Sequence, residues 1–389
     1  MSTPNYKIGF INPSYKRYFT EHKKEIMTAI EKCFIGGEFV LRDEVKKFEK
    51  NLADFVGTKY AVGVNSGTDA LKLSYKALRL KKDDEVITVS HTFIAPIEEI
   101  IHLGGKPILI DVGVDALMDV KQIEKVITKK TVGIVPVHLS GKVCDMKEII
   151  RIARKHKLWI VEDSAQALSA KQNKKMAGSF GDTGCFSFIS PKTLGGAGDA
   201  GGIVTNDKKI YEKLLLLRNH WNITQNALLG HQPKAPRIMG WGYNSRLDNI
   251  QAAVLNVKFK YYSQLLKRRQ EIAEKYLFHF QDLPLELPTR QDGQIWQEFI
   301  IQVKNISNFF KFMKQKGIEL LIRDTIPNHK LRGLGLSYFK LPTTEIIANQ
   351  CVRLPIYPEL TNSEVLYIID SIVKFYKYID YGVKKKSIK

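Results

Sequence analysis

Gly184-Cys-Phe-Ser-Phe-Ile-Ser-Pro-Lys-Thr-Leu-Gly-Gly-Ala-Gly-Asp-Ala-Gly-Gly202 joins three unlike textures in one short span. Cys185 to Ile189 is an apolar run that reads as a buried strand. Ser190-Pro191 breaks it, because proline has no N–H for a ladder, and Lys192 follows at once. Five glycines then crowd Gly195 to Gly202, ahead of a second apolar run, Ile203 to Thr205. One reading of Lys192 is an ordinary surface lysine in a loop, as most lysines are. The other is an amine that forms a Schiff base with a carbonyl cofactor, with the glycines letting backbone approach closely.

Working outward, apolar strands alternate with helical patterns. Strands are predicted at Tyr60–Val64, Glu85–Val89, Pro107–Asp111, Thr131–His138 and Leu158–Val161. Helices are predicted at Asp43–Phe55, Thr68–Leu78, 95–103, 120–128 and 145–156. Residues 1–20 read as an extended arm, followed by an amphipathic helix at Glu21–Phe34 that Gly36-Gly37 ends. This alternation predicts a large, mostly parallel sheet with helices on both faces, spanning residues 1–250. Beyond it, Leu247–Phe278 reads as one long helix. Phe299–Val303 reads as a strand, and Phe309–Lys316 and Thr361–Tyr376 as helices. Residues 251–389 are therefore expected to form a smaller α+β domain.

The chain has 389 residues, 44% hydrophobic and 26% charged, which suits a globular enzyme with a large core. Its formal net charge is +20. The lysines are spread along the chain, and the one dense run, Lys384-Lys385-Lys386, is short. The charge is read as a solvated surface, and no nucleic-acid partner is inferred. Four cysteines, Cys33, Cys144, Cys185 and Cys351, are too far apart for a zinc motif or a disulfide framework, so no metal is expected. There is no signal pattern and no apolar run of membrane-crossing length, so a cytoplasmic protein with no membrane partner is expected.

Several residues stand at predicted strand ends, where open α/β sheets bind their ligands. Asn65-Ser66-Gly67-Thr68-Asp69 joins a strand to a helix. It reads either as a plain N-cap or as a phosphate cradle. Asp163 follows a buried strand. It either caps the next turn or keeps a pyridine nitrogen protonated, and it lies 29 residues upstream of Lys192. Phe93 is either core packing or a ring stacked on a planar cofactor. Ser187 inside its apolar strand needs a partner, either a carbonyl or a phosphate oxygen. Asn244 and Arg246 open the long helix as a cap and a surface charge, or as anion ligands.

In order and spacing, NSGTDAL at 65–71, HTFIA at 91–95, VPVHLSGK at 135–142, EDSAQA at 162–167, FSFISPK at 186–192, GAGDAGGIVTND at 196–207, GYNSRLDNIQAAVL at 242–255 and LPIYPEL at 354–360 resemble one family. It is the DegT/DnrJ/StrS family of pyridoxal-phosphate sugar aminotransferases, of fold type I. The likeness runs from about Lys7 to Phe375. It implies that Lys192 forms the Schiff base with pyridoxal 5′-phosphate and that Asp163 contacts the pyridine nitrogen. Gln166 would lie near the phenolic oxygen, and Phe93 would stack on the ring. Ser66, Gly67, Thr68 and Ser187 would hold the phosphate. Asn244 would reach the cofactor of a neighbouring subunit, which implies a homodimer with shared active sites. His329, and with it Arg246, would lie toward the sugar. The implied reaction moves an amino group from L-glutamate, through pyridoxamine phosphate, to a nucleotide-linked keto-deoxyhexose, at C3 rather than C4. Departures from the family pattern are Ser164, Ser140, Lys142, Thr193, Trp221 and the segment Arg323–His329. They bear on sugar specificity and leave the cofactor set whole. Two rivals remain: a dehydratase of the same fold, which has histidine in place of the lysine, and a non-catalytic binding or regulatory protein. Lys192 speaks against the first, and the set Lys192, Asp163 and Gln166 against the second.

Overall fold

In the computed structural model the described residues are 6–10, 12–222, 238–322 and 326–386, without the side chains of residue 12 and of 378–386. The beginning of the expected arm, the triplet 323–325 and the side chains of the lysine run at 384–386 therefore lie outside the described residues.

The strands β1 (Tyr60–Val64), β2 (Glu85–Val89), β3 (Lys106–Ile110), β4 (Thr131–Ile134), β5 (Trp159–Asp163), β8 (Thr183–Ser187) and β9 (Gly201–Thr205) form one seven-stranded sheet. Its order is β1-β9-β8-β5-β4-β2-β3. The five strands from β8 to β3 run parallel; β9 is antiparallel to both β8 and β1. The two short strands between β5 and β8, β6 (Lys171–Gln172) and β7 (Lys175–Met176), make a separate hairpin.

Successive strand residues point to opposite faces, and both faces are buried. Val86, Val161 and Cys185 pack against α3 (Gly67–Ala77), α4 (Ala95–His102) and α7 (Lys208–Leu217). Ile87 and Ile160 pack in the core that includes α6 (Met146–His156). The end of the sheet at β9 is covered by Val45, Phe48 and Leu52 of α2 (Asp43–Val56) and by α8 (Asn249–Phe280). The expected mostly parallel sheet between helices is the architecture found.

A second core gathers β10 (Phe299–Gln302), β11 (Cys351–Leu354), α9 (Ile306–Gln315) and α11 (Asn362–Lys386). Helix α8 serves both cores. Its Ala252, Leu255 and Tyr262 pack beside the sheet, while Ile272, Tyr276 and Phe280 belong to the second core. Residue 250 lies in its first turn.

Four local expectations are corrected. The amino-terminal region is not extended throughout, because α1 (Asn12–Ile35) begins at residue 12. Pro13 sits in its first turn, where a missing N–H costs nothing, and a break at His22 (φ −107, ψ 15) joins two helical pieces. Strand β5 runs on through Glu162 and Asp163, because Asp163 pairs with Cys185 of β8. Strand β4 stops at Ile134, and only Val137 bridges onward, to Asp163. The helix expected at 120–128 is a 3₁₀ turn, Val120–Gln122, followed by the single turn α5 (Ile123–Val126). Unforeseen elements are α7, the β6–β7 hairpin, β11 and α10 (Pro342–Gln350).

Candidate active site

The carboxyl ends of the parallel strands meet a cavity of about 660 Å³, lined by Phe93, Gln166 and Lys192 among others. Each reaches it through a short local device. Lys192 follows β8, in a turn closed by its own N–H to Ile189 O at 2.9 Å. Gln166 follows β5, and its Oε1 accepts the Ser140 N–H at 2.8 Å. Phe93 stands between β2 and α4. Its neighbours His91 and Thr92 are buried, yet Phe93 itself is 67% exposed. A large aromatic ring left this open on a cavity wall is unlike a core residue and suits a flat ligand.

Asp163 is buried, and its Oδ1 accepts the Ala165 N–H at 3.1 Å. Burial pushes its carboxyl above the usual carboxylate range. The Ala165 N–H and the charges of Lys192 and His138 oppose that shift without cancelling it. A positive partner at this carboxylate would stabilise it. Glu162, one residue before, is fully buried and accepts four bonds: from His138 Nε2 at 2.9 Å and from the N–H groups of Gly178, Phe180 and Gly181. His138 N also donates to Asp163 O at 2.9 Å. The acidic pair is thus divided: Glu162 accepts four bonds from protein donors, while Asp163 is the one whose carboxyl burial pushes up and the charge of Lys192 draws back down.

On the other side of β8, Ser66 caps α3 and accepts the Asp69 N–H at 3.1 Å. Gly67 and Thr68 are the first residues of that helix, where N–H groups lack intrahelical acceptors. Ser187 lies against Gly67: a Cβ on Gly67 would sit 2.7 Å from Ser187 Cβ. Gly201 is equally constrained, since a Cβ there would lie 2.2 Å from Ser66 O. The N-cap reading of 65–69 is the one the structure shows, and it does not exclude a phosphate cradle at the same turn.

The structure places the remaining predicted residues elsewhere. Asn244 is exposed, and its backbone bridges to Asn219. Arg246 Nη1 donates to Asn219 Oδ1 at 3.2 Å. Neither lines the cavity in this chain. They stand close to α3, because Ser245 Oγ donates to Asp69 Oδ2 at 2.7 Å. His329 does not face the cavity either: it is fully buried. Ser90 Oγ accepts the His329 backbone N–H at 3.1 Å and lies 2.8 Å from Nδ1, and Nε2 lies 3.1 Å from Glu345 Oε1. Asn328 Nδ2 donates to Ser90 O and Thr92 O at 3.1 and 2.8 Å. Asn328 and His329 thus clamp the loop that presents Phe93.

Sequence reasoning missed the opposite wall. It is built from α1 (Tyr15, Tyr18), α8 (Lys258, Arg269) and the segment from Arg353 to Glu359. Only the helical spacing of Val254, Lys258, Leu265 and Arg269 could have flagged part of it.

This mostly parallel sheet between helices, with Lys192 on the cavity past one strand and buried Asp163 on the strand beside it, is the fold of a type I transferase. The DegT/DnrJ/EryC1/StrS aminotransferase family matches residues 20–373, and the chain belongs to it. It is an enzyme of that family, whose cofactor is pyridoxal phosphate. It is 37% identical over 358 residues to the dTDP-3-amino-3,6-dideoxy-alpha-D-galactopyranose transaminase of Aneurinibacillus thermoaerophilus, covering 91% of this chain and 96% of that one. It is 36% identical over 360 residues to the UDP-N-acetyl-3-dehydro-alpha-D-glucosamine 3-aminotransferase of Acidithiobacillus ferrooxidans, covering 91% and 94%. Among solved structures it resembles the S. venezuelae protein DesV in complex with a ketimine intermediate, with a TM-score of 0.88, 32% identity and coverage of 96% and 99%.

The residues present fit the cofactor. The tight approach of Gly67 to Ser187 leaves helix N–H groups for a phosphate, Asp163 offers a buried anion for a ring nitrogen, and Phe93 offers an open face. Among the described residues no cluster of three or more His, Cys, Asp or Glu could hold a metal ion, and no helix is long and apolar enough to cross a membrane.

Proposed function

We propose that this enzyme moves an amino group from L-glutamate to C3 of a nucleotide-linked keto-deoxyhexose. The observation that carries the reading is Lys192 on one cavity with Gln166 and Phe93, past the strand that pairs with buried Asp163. When bound, pyridoxal phosphate supplies a carbonyl carbon that accepts and releases amines, and a ring that withdraws electrons from the adjoining carbon. The protein's own residues do the rest. Ser66, Gly67, Thr68 and Ser187 anchor the phosphate. Asp163 keeps the ring nitrogen protonated, Gln166 orients the ring's oxygen edge, and Phe93 covers one face. Lys192 Nζ takes a proton from the substrate carbon and returns it on the other side of the reaction, as general base and then general acid.

Both relatives carry a C3 amino group in their names, which supports C3 over C4. Their nucleotides differ, so the nucleotide is left to experiment. Asn244, exposed beside α3, supports a homodimer in which it reaches the partner's cofactor. The enzyme should be incubated with glutamate and dTDP-, UDP- or GDP-linked 3-keto and 4-keto sugars, with mass-spectrometric readout. Amination of a 3-keto sugar supports the proposal; amination of 4-keto sugars alone overturns the C3 assignment. No amination of any sugar, in a protein with a visible cofactor band, overturns the substrate class.

A further inference from the structure

Helix α8 presents Val254, Lys258, Leu265 and Arg269 on one stripe, and all four line the cavity that Lys192 lines. Two of the four are cations, and neither has a carboxylate within ion-pair distance among the described residues. Lys258 Nζ donates to Gly195 O, in the glycine turn just past Lys192, and lies 4.8 Å from the centre of the Tyr18 ring. Arg269 is buried. Its Nη1 donates to the carbonyls of Trp296, Gln297 and Ile356 at 3.0, 3.2 and 2.6 Å, and its buried Nε has no hydrogen-bond partner. Burial pushes the Lys258 amine down to about 8; the charge of Arg269 adds to that, and Glu359 opposes it. The two cations therefore feel one another.

Glu298 is engaged with Arg353 at 3.2 Å, and Glu359, which also lines the cavity, acts on both cations only from beyond ion-pair distance and accepts instead from Ser14 Oγ at 2.8 Å. Burying charge without a counter-ion is costly. Two cations held in this way call for an anion that arrives with a ligand. The cavity also carries an aliphatic patch, Ile26, Ile30, Val254 and Leu265, among aromatic and polar residues such as Tyr15, Tyr18 and Gln297. That patch suits methylene groups.

We infer that Lys258 and Arg269 form a carboxylate subsite that takes the amino donor, a carboxylate on an aliphatic stem, beside Lys192. This rests on the proposed glutamate-dependent reaction. Lys258 is the residue to change, because Arg269 also ties three carbonyls and its loss would disturb the fold.

The test uses the holoenzyme and calorimetric binding of glutarate, a dicarboxylate that carries no amine to transfer, with dTDP and UDP as the alternative anions. A charge-assisted hydrogen bond is worth roughly 1.5–3 kcal/mol, so Lys258→Gln should weaken glutarate about 10- to 100-fold. Lys258→Arg should recover most of that loss, and binding of dTDP and UDP should not change. In the glutamate half-reaction, followed by loss of the visible cofactor band, half-saturation should rise while the limiting rate holds. A merely structural role would not give that split. Weaker nucleotide binding with glutarate unchanged would assign the pair to the diphosphate and overturn the inference, as would no change in either. If glutarate binding depends on Lys258 but glutamate is left unreacted, the carboxylate site stands and glutamate as donor falls.

Discussion

The two walls of the cavity are built on different principles. The near wall, where Phe93, Gln166 and Lys192 line the cavity, follows strand ends one by one, each side chain presented by a turn of a few residues; Ser66–Thr68, Asp163 and Ser187 stand at adjoining element ends, outside that lining. The far wall is assembled from distant parts of the chain. Ser14 meets Glu359, Arg17 meets Glu364, and Lys258 meets Gly195. A wall made of strand ends is fixed by the sheet. A wall made of long-range contacts depends on how α1, α8 and the carboxy-terminal segments dock.

The comparison breaks most visibly at Lys192. Lys192→Ala should abolish the visible cofactor band and lower turnover by at least about 10²–10⁴-fold, the usual share of a positioned acid–base group. The far wall should be untouched, so glutarate affinity should hold within about twofold, less than 0.5 kcal/mol. A variant that keeps both the band and the rate would remove Lys192 from the chemistry.

Gly67→Ala tests the cradle. The new Cβ would meet Ser187 Cβ at 2.7 Å, and that atom is not the far end of a flexible chain. Overpacking of this kind costs about 1–3 kcal/mol. Because Ser187 and the α3 N-terminus must part to make room, the cost should fall on the phosphate site. Cofactor dissociation constants, measured by equilibrium titration, should rise about 5- to 150-fold. Unchanged cofactor affinity would mean that the phosphate is held elsewhere.

The near wall was legible in the sequence because its elements are local. Val161 to Asp163 and Phe186 to Lys192 carry both the strand pattern and the candidate side chains; their spacing left room for both to face one ring, and the family resemblance gave them their roles. Even here the boundary was misplaced, since β5 runs through Asp163. An acid inside a strand has no hydrophobic signature, and only its pairing with β8 reveals it. His329 shows the opposite failure. A histidine expected near the sugar is buried behind the Phe93 loop, and no local pattern could have told that Ser90 and Glu345 occupy its nitrogens. The helical start of α1 was hidden by Pro13, which breaks a helix inside but not in the first turn. Apart from the helical stripe Val254, Lys258, Leu265 and Arg269, the far wall was invisible because hydrogen bonds between distant parts of the chain leave no periodicity.

That clamp gives the next test. Asn328 Nδ2 bonds two buried carbonyls, those of Ser90 and Thr92. Asn328→Ala leaves both without this donor, at a cost of about 1–3 kcal/mol of folding stability. Urea unfolding should show the loss. If the clamp also sets the Phe93 loop, cofactor release should quicken in the variant beyond what lower stability alone produces. A stability loss with unchanged release would leave the clamp a packing feature.

The smallest expected effect lies at the rim of the far wall, where Arg17 of α1 forms two bonds of 2.6 and 2.7 Å with Glu364 of α11. The Arg17 hydrogen bond holds the Glu364 carboxyl well below its usual range, at about 2. A carboxylate with a lower pKa folded than unfolded adds stability above the unfolded value, near 4.3. That contribution fades as pH falls from about 5 through 2. Arg17 is 39% exposed, so solvent screening limits the pair to about 1 kcal/mol. Glu364→Gln should therefore cost about 1 kcal/mol at pH 7 and almost nothing near pH 2, in urea unfolding at each pH. Since Arg17 also donates to Glu359 O, beside the cavity, the same variant should weaken glutarate more than it weakens the cofactor. Equal weakening of both would show that the two walls move together, and the division between them would then be one of sequence only.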